Sequence, residues 1–208
     1  MPKPDPIHLF RIIHIENLEH ILENGLWTQT AKDANPDYVP IGDSSIIRDR
    51  KELVTSAGSP LSDFIPFYFS AKSPMLYVIQ RGYNHVTRRE PSEIIYLITT
   101  FDHVKQAGLA WCFSDGNARD LSSKFYQDET DFDKLDWEVI RSQDWANREG
   151  DIDRKRRKQA EFLVREHVPV SCLTHIIVYD DESLSFVNTL IEQNGLNVQV
   201  AKSTKHYY

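Results

Sequence analysis

Lys158-Gln-Ala-Glu161-Phe-Leu-Val164 is the stretch on which the rest of the chain turns. Ala160 precedes a single carboxylate, and Phe162, Leu163 and Val164 follow it, so Glu161 opens a run that reads as a buried strand. A carboxylate beside a buried strand costs on the order of several kcal/mol unless it is hydrogen-bonded or used. The seven residues leave two readings open: an edge-strand Glu facing solvent, or an acid held ready beside the core.

Working outward, residues 118–157 are polar and charge-dense, with Trp137 and Trp145 embedded, and end in the basic run Asp153-Arg-Lys-Arg-Arg-Lys158. That is too long for an ordinary connector and reads as a functional loop with one or two helices of its own. Beyond Val164 come a strand at His175–Tyr179, a helix over Asp181–Gln193 ended by Gly195, and a strand at Asn197–Ala201. Toward the N-terminus, Ile7–Ile15 reads as a strand with His14 near its end. Glu16–Asn24 has helical spacing and Gly25 as its C-cap. Residues 41–50 read as a loop entering a short helix, with Asp43, Ser44 or Ser45 as N-cap. Phe67-Tyr68-Phe69 is a short aromatic strand, and Pro74 suits the first position of a helix over Met75–Gln80. Ile94–Thr100 is the clearest central strand, followed by a helix at Asp102–Ala107 and a strand at Trp111–Phe113. Strands outnumber helices and several follow one another directly, which predicts a mixed sheet of α+β type rather than a doubly wound fold. No GxGxxG or GxxxxGK[ST] is present, so neither nucleotide cradle is expected.

At 208 residues the chain is expected to form one domain. Its net charge of −7 argues against wholesale wrapping of nucleic acid but leaves room for a local basic site. Cys112 and Cys172 form no metal-spacing motif and read as buried free thiols, in keeping with a reducing cytoplasm. No run is long enough to cross a bilayer, and the Pro-rich start lacks the apolar core of a secretory signal. The eight histidines show no ligand spacing, so no metal is expected.

Several segments recur in a telling order: Arg11-Ile-Ile-His14-Ile-Glu-Asn-Leu18, Ile41-Gly42, Ile65-Pro-Phe-Tyr-Phe69, Ser73-Pro-Met-Leu-Tyr77, Phe113-Ser-Asp-Gly-Asn-Ala118 and Lys158-Gln-Ala-Glu-Phe-Leu-Val164. The set resembles the His-Tyr-Glu arrangement of the ADP-ribosyltransferase superfamily, and more closely the DarT family of DNA ADP-ribosyltransferase toxins. The resemblance spans nearly the whole chain. It implies a single domain over 1–208, with a split mixed sheet flanked by helices. It also implies an NAD-gripping segment over 31–50 and a substrate-recognition loop over 118–160. The implied reaction is transfer of ADP-ribose from NAD+ to a base of single-stranded DNA, thymine within a short sequence context in the best-known branch and guanine in another, with a DarG-like macrodomain antitoxin as partner, no membrane and a monomeric state.

By the same resemblance Glu161 and Arg48 are the catalytic pair, with Arg50 the alternative arginine. His14, Ile15, Asn17, Leu18, Gly42, Ser45, Arg48, Arg50, Tyr68, Ser73, Met75 and Tyr77 are expected around NAD+. His14 would bond a ribose hydroxyl, Tyr68 and Tyr77 would stack around nicotinamide, and Ser73 would hold the carboxamide. Read as plain residues, His14 is equally a core histidine, the tyrosines are core aromatics and Ser73 is a helix cap. Arg154, Arg156, Arg157, Trp145 and Arg119 are the DNA-binding candidates, although a charge run such as 154–158 also fits a solvated face. Asn117 stands where related sequences carry His. Other readings are a protein-directed mono-ADP-ribosyltransferase, an RNA 2′-phosphotransferase, and a non-catalytic domain that binds single strands. Gln159, two positions before Glu161, argues against arginine as acceptor.

Overall fold

The computed structural model describes residues 1–43, 50–55 and 58–208. Among the described residues there are ten strands and six helices, with eight of the strands in one sheet. Strand β1 (His8–His14) leads through a single 3-10 turn into helix α1 (Leu18–Asn24), which Gly25 ends at φ 80°. Gly25 is required there, since an added Cβ would lie 2.2 Å from the His167 ring. Then follow β2 (Leu26–Trp27), β3 (Phe64–Tyr68), α2 (Pro74–Arg81), β4 (Ile94–Thr100), α3 (Phe101–Gln106), β5 (Trp111–Ser114) and β6 (Phe125–Tyr126). The remainder is α4 (Trp137–Arg141), α5 (Arg154–Lys158), β7 (Glu161–Arg165), β8 (His167–Val168), β9 (His175–Val178), α6 (Asp181–Gln193) and β10 (Gln199–Lys202).

Eight strands form the main sheet in the order β10-β9-β4-β1-β3-β7-β5-β6, parallel at β10–β9 and antiparallel elsewhere; β2 and β8 pair separately. The expected α+β class with a split mixed sheet is the one found. β1 and β4 pair over seven residues, and β3 and β7 over five, but β1 and β3 meet at one register pair, Phe10↔Tyr68. Pro66 has no N–H to offer a neighbour, so a Pro in mid-strand suits this seam, where the ladder is already broken.

One face of the sheet packs Leu9, Ile13, Ile65, Phe67, Leu97 and Phe162 against α1, α3, α4 and α6. Leu18, Ile21 and Leu22 of α1 meet Val187, Leu190 and Ile191 of α6 in that layer. On the other face α2 covers the β1–β4 half through Leu76 and Ile79, while Phe64, Cys112 and Leu163 form a smaller cluster over the β3–β7–β5 half. The two outer clusters leave a cleft above the seam. Both cysteines are buried and unbonded to each other. No helix among the described residues is long and apolar enough to cross a membrane.

Candidate active site

Phe10, Tyr68 and Glu161 are partnered in turn across β1, β3 and β7. Residues directly opposite in a ladder share a face, so this row runs across the seam beneath the cleft. Glu161 is buried. Its Oε1 accepts from the Ala118 N–H at 3.0 Å and its Oε2 from Arg50 Nη1 at 3.1 Å. Its own N–H donates to Ser114 Oγ, whose hydroxyl donates to the Gly116 carbonyl. The turn after β5 thus holds the carboxylate by backbone. Burial, reinforced by the neighbouring Glu161 carboxylate, pushes the Tyr68 hydroxyl far above its ordinary range and the Cys112 thiol up to about 12. Both stay neutral beside the acid.

The cleft is lined by Arg11, Arg50, Tyr68 and Met75, with Trp27, Thr28, Tyr38 and Gly42 along the opposite wall. Arg11 Nη1 donates to the Pro66 carbonyl at 2.9 Å, filling the gap where the β1–β3 ladder stops. Arg11 Nε and Arg50 Nη2 are buried with no hydrogen-bond partner among the described residues. Both side chains line the cleft, so two guanidinium charges stand on its wall, which suits an anionic ligand.

Of the residues expected around NAD+, the structure brings Gly42, Arg50, Tyr68 and Met75 to the cleft. Ser45 and Arg48 lie outside the described residues. His14 is buried at the end of β1, where its Nδ1 accepts from the Glu16 N–H at 3.3 Å and its Nε2 lies 3.4 Å from Glu93 Oε1. Leu18 and Ile15 pack into the core. Asn17 acts on the cleft wall at one remove: its Nδ2 donates to the Val39 carbonyl and its Oδ1 accepts from the Val39 N–H, both at 2.8 Å. This two-way clamp fixes the segment that carries Tyr38 and Gly42. Ser73 caps α2, accepting from the Leu76 N–H at 3.2 Å. Tyr77 lies two positions from Met75 on α2, on the opposite side of the helix, and packs against Tyr208, Trp145 and Tyr83.

The basic run turns inward. Arg154 donates to the Asp144 carbonyl and Ser142 Oγ. Arg156 grips both Asp153 oxygens, Asp115 and Ser123. Arg157 bonds Asp136 and Asp151. Lys158 donates to the Ile140 and Ser142 carbonyls and to Ser70 Oγ, and burial beside Arg154 pulls its ammonium down to about 8. The cations brace the 118–160 segment from within, as unpaired charges under such a fold would be costly. Gly116 admits Arg156 to this packing: an added Cβ would lie 2.3 Å from Nη1 and 2.8 Å from Cγ. Arg119, Asn117, Lys155 and Gln159 line an open groove next to this segment, and the Asn117 amide donates to Gln159 Oε1 at 3.3 Å. Trp145 is half-buried, its indole N–H donating to Tyr208 Oη at 3.1 Å. No three His, Cys, Asp or Glu gather as a metal set among the described residues.

Sequence reasoning assigned no role to Arg11, although a lone charge inside the apolar run 7–15 was a usable signal. It also missed the clamp of Asn17 on Val39, because nothing in the sequence pairs residues 22 apart across a loop.

A split mixed sheet with Tyr68 on its cleft, and its ladder partner, the buried Glu161 carboxylate, joined to the cleft wall through Arg50, is the arrangement expected of the ADP-ribosyltransferase class. The DarT structure from Thermus sp. 2.9 in complex with ADP-ribosylated ssDNA superposes with a TM-score of 0.92 at 28% identity, covering 100% of this chain and 99% of that one. The same protein in complex with NAD+ superposes at 0.86. The chain belongs to the family described as ssDNA thymidine ADP-ribosyltransferase, DarT, whose model matches residues 10–208. A DNA ADP-ribosyl transferase of Escherichia coli O127:H6 is 28% identical over 207 residues, 99% of this chain and 95% of the relative. A DNA ADP-ribosyl transferase–DNA ADP-ribosyl glycohydrolase fusion protein of Thermosipho africanus is 26% identical over 194 residues, 91% of this chain and 47% of the fusion.

Proposed function

We propose that the chain transfers ADP-ribose from NAD+ to thymine in single-stranded DNA and releases nicotinamide. The observation that carries this is the buried Glu161 carboxylate, held by the Ala118 N–H and by Arg50, which with Arg11 lines the adjoining cleft. Family membership and the similarity to a DarT bound to ADP-ribosylated ssDNA support the acceptor class.

In this proposal the bond between nicotinamide and ribose breaks and its electron pair goes to the pyridine nitrogen, which leaves neutral and needs no acid. Positive charge grows at the anomeric carbon, as in glycoside hydrolysis. Glu161 stabilises it by its charge and by accepting from a ribose hydroxyl. A nitrogen of the base attacks the same carbon, forming the new N–C bond, and its proton passes to solvent water. Of the two candidate arginines, Arg50 takes the catalytic role, favouring the deprotonated base electrostatically, because a guanidinium stays charged and cannot itself accept the proton. Arg48 remains the alternative. Arg11 and Arg50 meet the pyrophosphate. The 31–50 segment grips the dinucleotide, with Asn17 holding its backbone, and His14 and Ser73 support the ribose and carboxamide ends.

The 118–160 segment presents the acceptor strand. Arg119, with Lys155 beside it, meets phosphates, and Trp145 stacks a base. Arg154, Arg156 and Arg157 keep that segment in shape. The chain works as a monomeric toxin in the cytoplasm, where DNA and NAD+ coexist. Its partner is a macrodomain antitoxin that removes the mark, which the fused glycohydrolase of the Thermosipho relative supports.

The test is incubation with NAD+ and mixed single-stranded oligonucleotides, read by intact mass. A gain of one ADP-ribose on thymine-containing strands, absent with Glu161→Gln, is the expected result. Label on protein, with none on any oligonucleotide, would overturn it.

A further inference from the structure

A row of rings lies on the side of α2 turned away from the cleft. Tyr77 is its hub, with Tyr208 at 5.2 Å and 79°, Trp145 at 5.7 Å and 67°, and Tyr83 at 5.8 Å and 49°. The Trp145–Tyr208 hydrogen bond fixes two of the rings relative to one another. Three cations sit on the row: Lys72 lies 5.4 Å from the Tyr208 centroid, Arg81 5.6 Å from Tyr77 and Lys155 5.9 Å from Trp145. Among the described residues no carboxylate lies within ion-pair distance of any of the three. Tyr83 is 51% exposed, and Tyr77, Trp145 and Tyr208 are half-buried, so the rings do not form a core. In a chain of net charge −7, the ridge gathers three cations on half-open rings. Lys155 belongs both to this ridge and to the groove lined by Asn117, Arg119 and Gln159, two residues from Glu161.

We propose that this ridge is a second DNA subsite, which carries the strand on one side of the acceptor base. It rests on the DNA-transfer reading above. Nucleotides leaving the groove pass Lys155, stack on Trp145 and on the Tyr77–Tyr83 rings, and have their phosphates met by Arg81 and Lys72. Stacking on rings flanked by cations holds single strands without regard to sequence, because every base has a π face. The ridge therefore adds affinity for longer strands while leaving base choice to the groove.

The test compares a short oligonucleotide, holding the acceptor thymine and its nearest neighbours, with the same strand extended by about six nucleotides on its 5′ or its 3′ side. Wild type and the double variant Tyr83→Ala/Arg81→Ala are measured; neither residue lines the cleft or the groove, and both side chains are solvent-facing. Extension on one side is expected to lower the wild-type KM for DNA about tenfold. The variant should lose that gain, keep its kcat, its KM for NAD+ and its activity on the short strand, and show a salt dependence shallower by about 0.7 in log–log slope. Equal KM for all lengths in wild type, or a length gain retained by the variant, overturns the ridge. Modification of the short strand with no length effect removes the ridge alone; no modification of any strand removes the DNA reading and the ridge with it.

Discussion

Arg50 Nη1 and Glu161 Oε2 stand 3.1 Å apart although 111 residues separate them in the chain. The contact joins the end of the 31–50 segment to the start of β7 and leaves Arg50 Nη2 without a partner among the described residues. The pair is mostly shielded, with side chains 13% and 5% exposed. Such a pair is weak as a stabiliser but costly to break from one side. Glu161→Gln keeps an oxygen for the Ala118 N–H and nearly the same volume. It should therefore retain the fold and a melting temperature close to wild type, while transfer falls by about 10²–10³-fold or more. Intact-mass turnover and a thermal melt check both halves; a folded, active variant would refute the role of the acid.

The two arginines are separable by the same assay. Arg50→Ala strands a buried carboxylate and should cost about 3 kcal/mol in stability together with most of the activity. Arg48→Ala should cost less on both counts. The reverse order would move the catalytic arginine to residue 48.

Asn17 predicts a defect in NAD+ handling without a contact to NAD+. Asn17→Ala breaks both bonds to the half-buried Val39 backbone, a loss of about 1–2 kcal/mol. The wall carrying Tyr38 and Gly42 is then free to shift, so KM for NAD+ should rise several-fold more than KM for DNA. An unchanged NAD+ KM in a destabilised variant would confine Asn17 to folding.

Gly116→Ala pushes a methyl into Arg156, which is held by Asp115, Asp153 and Ser123 and cannot yield freely. The displaced turn carries Ala118, one of the two donors to Glu161. Activity should fall at least tenfold, an order-of-magnitude figure for losing one aligned donor, while circular dichroism stays native. Full activity would mean that the turn is not needed for aligning the acid.

Lys158 gives a pH signature. Its folded value lies near 8 while an unfolded lysine titrates near 10.4. Between those limits the unfolded chain binds the extra proton, so stability contributed at this site rises with pH. Relative to Lys158→Met, wild type should gain up to about 1.4 kcal/mol per pH unit between roughly pH 8 and 10. Denaturant melts of both proteins across that range check it, and a flat difference would mean that the three oxygens around the ammonium keep it charged.

The long elements were legible because their signals are local and repeated. β4 occupies Ile94–Thr100 and α6 Asp181–Gln193, as the apolar runs and the helical spacing required. Ser73 before Pro74 announced the start of α2, and Ala160–Val164 announced β7. β2, β6 and β8 were not legible: two residues carry no period, and each exists only because a partner strand passes. β3 starts three residues earlier than expected, since Pro66 reads as a breaker until the seam beside it is known. That Glu161 is a buried acid was readable from its apolar company. The fate of the 154–158 run was not, because solvated and internally paired arginines look the same until Asp115, Asp136, Asp151 and Asp153 are seen to surround them. Tyr77 was placed by analogy of spacing, and helix geometry sends it to the far side of α2 from Met75.

The lone rung between Phe10 and Tyr68 has a mechanical corollary. On either side of it the ladders are complete, so each half of the sheet is stiff, and the joint between them resembles two boards sharing one peg. What binds the two boards is therefore side-chain packing more than backbone: Leu9, Ile13 and Leu97 of one half share a core layer with Ile65, Phe67 and Phe162 of the other. Arg11, reaching from one board to the Pro66 carbonyl on the other, adds a polar tie across the same joint.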